Sequence, residues 1–330
     1  MQDTFRALVL REVDGKPTAS IESVPVTALP ADDVLVRIAY SGLNYKDGLA
    51  ITGRNKVVRS YPMIPGIDFA GTVEESTSPL FAPGDRVVLT GWGVGEWHWG
   101  GLAEMARAKS DWLVRIPDSL STFDAMAAGT AGFTAMLCIE ALEEHGLTPE
   151  SGEVLVTGAA GGVGSLAVAL LGRLGYRVVA STGRAEEHDY LKTLGATEII
   201  DRTVLTAPSG PLASARWAGA VDTVGGDTLA GVLRTMAPNT TVAACGNAAG
   251  FALNTSVLPF ILRGVNLLGI NSLPVPVARR NVAWSRLAAL WPRDALESTI
   301  RTEPLTAVPA LANEIIAGHT RGHIVVDVNQ

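Results

Sequence analysis

The chain has 330 residues, 47% of them apolar and 18% charged, and a net charge of −7. These values exclude a disordered chain and argue against a general binder of nucleic acid or membrane surfaces. The length exceeds what one core usually serves, so two domains are expected.

The N-terminus, Met1-Gln-Asp-Thr-Phe-Arg-Ala-Leu-Val-Leu10, has no basic segment leading into a long apolar core. No apolar run reads as long and unbroken enough to span a bilayer, so neither a secretory signal nor a membrane span is expected. Residues 1 to about 120 read as β-rich. Short alternating runs such as Val34-Leu-Val-Arg-Ile-Ala-Tyr40 and Arg86-Val-Val-Leu-Thr90 are separated by Pro, Gly and Asp turns. Within them, Arg54, Lys56 and Arg59 fall in one predicted loop with no acidic residue among them. From about Asp124 the pattern becomes helical, over Ala125 to Glu144, and then alternates strand and helix. Strands are expected at 154–157, 177–180, 198–200, 220–224 and 241–245, and helices at 166–174, 185–194 and 228–236. Such alternation builds a doubly wound parallel sheet of Rossmann type. From about Leu267 the chain returns to strands and one helix, with Arg279 and Arg280 as a second basic pair. It ends in the strand-like His323-Ile-Val-Val-Asp-Val328. A last strand of that kind is expected to rejoin the N-terminal sheet. The β-rich domain would then comprise residues 1–123 and 266–330, and the nucleotide-binding domain residues 124–265. With Cys138 and Cys245 far apart, there is no disulfide framework, which suits a cytoplasmic protein.

The stretch Val154-Leu-Val-Thr-Gly-Ala-Ala-Gly-Gly-Val-Gly164 carries the strongest signal. An apolar strand ends in a glycine turn that opens into an Ala/Leu-rich helix, which is the context a dinucleotide pyrophosphate needs. Gly158 permits the turn, Gly161 permits close approach of the phosphate, and Gly164 lets the helix lie on its strand. Ala160, Gly161, Gly162 and Val163 would present backbone N–H groups to the ligand at the positive end of the helix dipole. After the second strand, an NAD site would place a carboxylate on the ribose 2′-hydroxyl. This chain has Ser181-Thr-Gly-Arg184 instead. A guanidinium there pairs with a 2′-phosphate, so NADP(H) is the expected cofactor.

Gly42-Leu-Asn-Tyr-Lys-Asp47, Pro65-Gly-Ile-Asp-Phe-Ala-Gly71 and the glycine turn resemble the medium-chain dehydrogenase/reductase superfamily. Leu89-Thr-Gly-Trp-Gly-Val-Gly95, His98-Trp-Gly-Gly-Leu-Ala-Glu104, Trp217-Ala-Gly-Ala-Val-Asp-Thr-Val-Gly225 and Pro259-Phe-Ile-Leu-Arg263 are similar to its quinone-oxidoreductase-like branch, in particular the NADPH-dependent acrylyl-CoA reductases. The resemblance implies a GroES-like fold for the β-rich catalytic domain. It also implies hydride transfer from NADPH to the β-carbon of acrylyl-CoA, a short 2-enoyl-CoA, to give propanoyl-CoA. Zinc members of the superfamily carry Cys where Asn44 stands and Gly-His-Glu where Gly66-Ile67-Asp68 stands. Asn44 and Ile67 cannot replace those ligands, so no metal is expected. Without a Lewis acid, reduction of an already activated double bond is the simpler chemistry.

Asn44 and Tyr45 are then the candidates to face the nicotinamide and the thioester oxygen, with Asp68 orienting Asn44 or a water, or capping a turn. A preorganised donor aimed at that oxygen contributes about 3–4 kcal/mol to the barrier. Arg54, Lys56 and Arg59 would meet the CoA phosphates. Arg202, Asn247 and Ser272 follow from the resemblance as further cofactor contacts. The family carries Lys or Arg where Gly322-His323 stands, and Arg321 is placed as its replacement. A homodimer formed through the sheet edge near residues 255–285 is likewise implied. Two other readings stay open: a general NADPH quinone or enone reductase, and a non-catalytic binding protein on the same fold.

Overall fold

The computed structural model describes residues 3–208, 210–296 and 300–330. In chain order its strands are β1 (Thr4–Val13), β2 (Lys16–Pro25), β3 (Val34–Leu43), β4 (Asp68–Ser76), β5 (Arg86–Thr90), β6 (Met105–Ala108), β7 (Val114–Arg115), β8 (Glu153–Val156), β9 (Arg177–Thr182), β10 (Ala196–Asp201), β11 (Trp217–Asp222), β12 (Met236–Ala244), β13 (Asn266–Gly269), β14 (Arg301–Pro304) and β15 (Ile324–Asp327). Three helices matter most for the site: α1 (Tyr45–Thr52), α2 (Thr122–Glu144) and α3 (Gly162–Arg173). The chain divides into two compact units. One comprises Met1–Ala131, Ser272–Ala289 and Ile300–Gln330; the other comprises Gly132–Asn271 and Leu290–Thr299.

In the first unit, β1 and β2 form a hairpin closed by Asp14 and Gly15, both at positive φ, which is the chemistry a two-residue hairpin turn requires. A sheet of order β14-β15-β3-β4-β5-β7 follows, with β6 also on β3. Every second residue on β3, Val34, Val36 and Ile38, joins Leu8, Leu10, Phe69 and Val326 in one apolar core. The C-terminal β15 lies antiparallel to β3, with Ile324 opposite Leu43 and Asp327 opposite Tyr40. On its other side β3 pairs with β4, Ser41 opposite Phe69. That register gathers the end of β3, the start of β4 and the start of β15 at one end of the sheet. Asn44, Asp68 and His323 are therefore neighbours although they are far apart in sequence.

The second unit holds a parallel sheet of order β10-β9-β8-β11-β12-β13, the classic nucleotide-binding order of two half-sheets starting from a central strand. Its central strands read as unbroken apolar runs because both faces are covered. Val154, Leu155, Val156, Val178, Val179 and Ala180 are all fully buried. Each large side chain so buried contributes about 1.5–3 kcal/mol.

Several boundaries differ from the sequence expectation. The expected division at 123/124 falls inside α2, whereas the units part at 131/132, two residues past a break at Gly129 (φ 49°, ψ −155°). The second division lies at 271/272 instead of 265/266, and residues 290–299 belong to the second unit. α2 is itself long and apolar enough to cross a bilayer, contrary to the reading that no run qualifies; nearly all of it is buried inside the protein, as a core helix. The tail holds three α-helices among the described residues, Val277–Leu290, Arg293–Leu296 and Val308–Ile316, where one was expected. Val277–Leu290 is hard to read because its buried stripe, Arg280, Ala283, Trp284 and Leu287, has helical spacing but opens on an arginine.

Candidate active site

The nucleotide turn is built by the second unit. β8 ends at Val156, and Gly158 adopts φ +58° where a Cβ would lie 2.3 Å from the Thr223 hydroxyl. A Cβ on Gly164 would lie 2.3 Å from the Gly158 carbonyl oxygen, so only glycine lets α3 pack on the turn. Gly161, the N-cap of α3, differs: a Cβ there would meet nothing closer than 3.3 Å. The Gly161 N–H donates to the Gly158 carbonyl (2.9 Å), and the N–H groups of the first turn of α3 after it have no helical carbonyl ahead of them. No acidic residue stands in that turn to repel an anion.

Beside this helix N-terminus, β9 delivers Ser181 and Thr182. The Ser181 hydroxyl is buried without a hydrogen-bond partner. Arg184 donates from Nη2 to the Ala160 carbonyl (3.2 Å), and its Nη1 lies 3.6 Å from the buried Glu187 carboxylate, which orients the guanidinium. Arg202 folds over Gly183 so closely that a Cβ there would lie 2.5 Å from its Nε. Two guanidinium groups thus flank Ser181–Arg184, and no acidic residue occupies the end of β9. Asn247 is exposed on a turn packed against Gly225, where a Cβ would lie 3.1 Å from the Asn247 Cα. An orphaned hydroxyl, paired cations and a helix N-terminus without an acidic residue fit a dinucleotide bearing a 2′-phosphate.

The first unit builds a second cluster. Asn44 caps α1 in an extended conformation, its backbone N–H donating to Asp47 Oδ2 (2.9 Å). Asp47 Oδ1 accepts from the backbone N–H groups of Gly66 (3.1 Å) and Ile67 (3.0 Å), tying the start of α1 to the segment entering β4. Asp68 is fully buried. Its Oδ1 accepts from Asn44 Nδ2 (3.0 Å), and its Oδ2 accepts from the Thr130 backbone N–H (2.7 Å). Tyr45, the first residue of α1, remains 42% exposed. Burial, reinforced by the nearby charge of Asp68, pushes the Asp47 carboxyl up to about 7.

That shift has a consequence for stability. Asp47 keeps its proton in the folded state over a range where the unfolded chain loses it, so its contribution is complete below about pH 4 and lost as the pH rises through about 7. The stability advantage of the wild type over Asp47→Asn is therefore expected to shrink across that window in thermal melts; an unchanging difference would refute it.

Other expected residues sit elsewhere in the first unit. Arg54, Lys56 and Arg59 are exposed, and none has an acidic partner among the described residues. Their loop runs beside the tryptophan-rich turn, Arg59 N–H donating to the Glu96 carbonyl (2.9 Å), and Trp97 in that turn is 45% exposed. Arg280 is not a phosphate ligand in waiting. It is fully buried and donates to the carbonyls of Thr90, Ser272, Leu273 and Val275 at 2.7–3.0 Å, with its guanidinium 4.8 Å from the Trp92 ring centroid. Ser272 takes part through its carbonyl in that network. Arg321 is exposed, whereas His323 is buried. Sequence reasoning missed Asp47 and the placement of His323. The Asn-x-x-Asp spacing at 44–47 was a readable capping pattern; the neighbours of His323 depend on strand register and were not.

A β-rich unit and a doubly wound parallel sheet with an anion cradle at its first helix define a two-domain, dinucleotide-dependent oxidoreductase. Residues 30–118 match the family model of the alcohol dehydrogenase GroES-like domain, and residues 162–284 match that of the zinc-binding dehydrogenase. The chain is 53% identical over 325 residues to the probable acrylyl-CoA reductase AcuI of Escherichia coli, covering 98% of this chain and 100% of that one. It is 53% identical over 328 residues to the acrylyl-CoA reductase AcuI of Ruegeria pomeroyi, covering 98% and 99%. The crystal structure of the yhdH oxidoreductase from Salmonella enterica in complex with NADP superposes with a TM-score of 0.96 at 54% identity, covering 98% of this chain and 99% of that one. The chain belongs to the medium-chain dehydrogenase/reductase superfamily, in its quinone-oxidoreductase-like branch.

The zinc-binding description of the second family model prompts a test of the donor set. Zinc takes thiolate, imidazole or carboxylate ligands. Asn44 and Ile67 supply a carboxamide and an alkyl group, and both oxygens of Asp68 accept hydrogen bonds from protein donors. Among the described residues no group of three or more His, Cys, Asp or Glu side chains is arranged to hold a metal. These residues do not fit a catalytic zinc.

Proposed function

We propose that this protein is a zinc-independent, NADPH-dependent acrylyl-CoA reductase that converts a short 2-enoyl-CoA, acrylyl-CoA, to propanoyl-CoA. The observation that carries the reading is its near-full-length 53% identity to AcuI, joined to a cradle flanked by Arg184 and Arg202. NADPH, when bound, would supply hydride to the β-carbon of the enoyl thioester and become NADP+, and a proton from solvent added at the α-carbon would complete propanoyl-CoA. The N-terminus of α3 holds the pyrophosphate through Ala160–Val163, and Ser181, Thr182, Gly183, Arg184 and Arg202 surround the 2′-phosphate. Asn247, Ser272 and Arg321 complete the cofactor contacts. Asn44, held by Asp68, presents an amide to the thioester oxygen where charge develops. Tyr45, exposed at the start of α1, orients the reacting groups and shields them from water. Arg54, Lys56 and Arg59 take the phosphates of CoA.

The test is a steady-state screen of NADPH and NADH with acrylyl-CoA, crotonyl-CoA, the pantetheine thioester of acrylate and a simple quinone. Efficient turnover of acrylyl-CoA with NADPH is expected. Equal efficiency with the quinone would favour a general quinone or enone reductase, and no NADPH oxidation with any acceptor would leave a binding protein. Neutralising Arg54, Lys56 and Arg59 together is expected to raise KM about tenfold for acrylyl-CoA, since each exposed ion pair is worth about 0.2–1 kcal/mol. KM for the pantetheine thioester, which lacks those phosphates, should not change.

We also propose a cytoplasmic homodimer. Two free cysteines suit a reducing compartment. β13 is the edge strand of the parallel sheet, and close in sequence Phe251 (82%), Val257, Ile261 and Leu262 are largely exposed, an apolar patch of the kind that a partner copy covers. Ile261→Asp with Leu262→Asp is expected to shift light scattering from dimer to monomer mass; a wild type that is monomeric at micromolar concentration would refute the assignment.

A further inference from the structure

The turn between β5 and β6 uses left-handed backbone to an unusual degree. Gly91, Gly93 and Gly95 have φ of +79°, +77° and +76°, and Trp92 among them has φ 55°, a conformation that bulky side chains rarely adopt. Such strain persists where the surrounding structure enforces one shape. That shape fixes Trp97. Its indole lies so close over Gly93 that a Cβ there would overlap Nε1. Its ring meets Trp112 edge-on, 5.7 Å between centroids, and Trp112 stacks in turn on Trp92 at 6.2 Å. His98, the next residue, is tied to Asp32 Oδ2 (2.6 Å) and to the Trp99 carbonyl (2.9 Å).

Despite these contacts Trp97 stays 45% exposed, whereas Trp112 is buried. Two sets of neighbours give the open indole its context. Lys46 Nζ pairs with Glu96 Oε1 (2.9 Å), which joins the turn to the residue after Tyr45 at the start of α1 and neutralises the acid next to Trp97. The Arg59 N–H donates to the Glu96 carbonyl (2.9 Å), and Val58 is buried in the core. Those two contacts fix the loop that carries the exposed Arg54, Lys56 and Arg59 against the same turn. Tyr45, Trp97 and the three cations are thus held by one continuous set of contacts. A rigid aromatic side chain accompanied by cations is the arrangement that binds a purine by stacking while its phosphates are neutralised.

We propose that Trp97 is a specificity-determining residue that stacks on the adenine of the CoA thioester, and that the Gly91–Gly95 turn serves to hold it there. The inference rests on the proposed function for its substrate. The adenine lies on Trp97, and the 3′-phosphate and diphosphate meet Arg54, Lys56 and Arg59. A quinone or free enone has no purine and gains nothing from that platform. Trp97 therefore contributes to the choice of acceptor and not to hydride transfer. NADPH carries an adenine as well, and the two purines are told apart by measuring KM for both molecules.

Trp97→Ala is expected to raise KM for acrylyl-CoA about tenfold, the effect of unstacking one base from one aromatic side chain, with kcat and KM for NADPH unchanged. The same rise is expected with the 3′-dephospho-CoA thioester, which keeps the adenine, and none with the pantetheine thioester, which lacks it. Trp97→Phe, which keeps an aromatic ring, should recover most of the loss. An equal rise with the pantetheine thioester, or a rise confined to NADPH, would overturn the assignment. A binding measurement decides the question even where the alanine variant fails to fold. Adenosine 3′,5′-bisphosphate, added to wild-type enzyme saturated with NADP+, is expected to quench part of the emission of the seven tryptophans, and that part should be missing in Trp97→Phe. A wild type whose emission does not respond would overturn the proposal. If the nucleotide quenches but acrylyl-CoA is not reduced, the proposed function falls and Trp97 keeps its place. If Trp97→Ala reduces acrylyl-CoA with the wild-type KM, the role of Trp97 falls alone.

Discussion

Arg184→Ala is expected to raise KM for NADPH about 10- to 100-fold while leaving KM for NADH nearly unchanged. A hydrogen bond to a charged group contributes about 1.5–3 kcal/mol, and each 1.4 kcal/mol is a factor of ten. The geometry explains why the loss falls on one cofactor. Arg184 reaches back to the Ala160 carbonyl at the cradle and is held from behind by Glu187, so its guanidinium is oriented before the ligand arrives. NADH has no 2′-phosphate for it to meet. Arg202, stacked over Gly183, remains in the variant and keeps part of the charge, so Arg184→Ala with Arg202→Ala should lose more than either change alone. Initial rates with both cofactors at saturating thioester make the measurement. A preference ratio that does not move would remove Arg184 from the 2′-phosphate site.

The nucleotide cluster of the second unit was legible in the sequence because its logic is local. The strand, the turn, the helix and the end of the next strand lie within residues 154–184, and each glycine answers a contact a few residues away. The cluster of the first unit depends on pairing across its sheet. That Asn44, Asp68 and His323 meet follows from β15 lying beside β3 in one register, and a shift of one residue would turn His323 to the opposite face. Asp68 was recognised as a candidate by its place near Asn44 in the family pattern, but its link to the broken turn of α2 has no sequence signature beyond Gly129. The tail was misread for a related reason. A helix whose buried stripe begins with an arginine does not announce an apolar face, and the carbonyls of Thr90, Ser272, Leu273 and Val275 that it meets leave no side-chain signature in the sequence.

Arg280 gives the largest effect expected on stability. Its side chain is fully buried and joins the start of its helix to β5 and to the 272–275 segment through Nε, Nη1 and Nη2, with the Thr90 hydroxyl as a further acceptor (2.9 Å). Burial lowers its pKa to about 10, which still leaves the group charged at neutral pH. Those carbonyls, the Thr90 hydroxyl and the Trp92 face each stabilise the positive charge. Arg280→Met keeps much of the volume but strands those carbonyls in a dry interior. Removing one side of a buried charged network costs about 3–5 kcal/mol, so the urea midpoint should fall by well over 1 M at the usual slope of about 1–3 kcal/mol per molar. Arg279→Met, next to it but exposed, should stay within about 0.5 kcal/mol of the wild type. If Arg280→Met instead folds with wild-type stability and loses only affinity for CoA thioesters, the residue belongs to the substrate and not to the core.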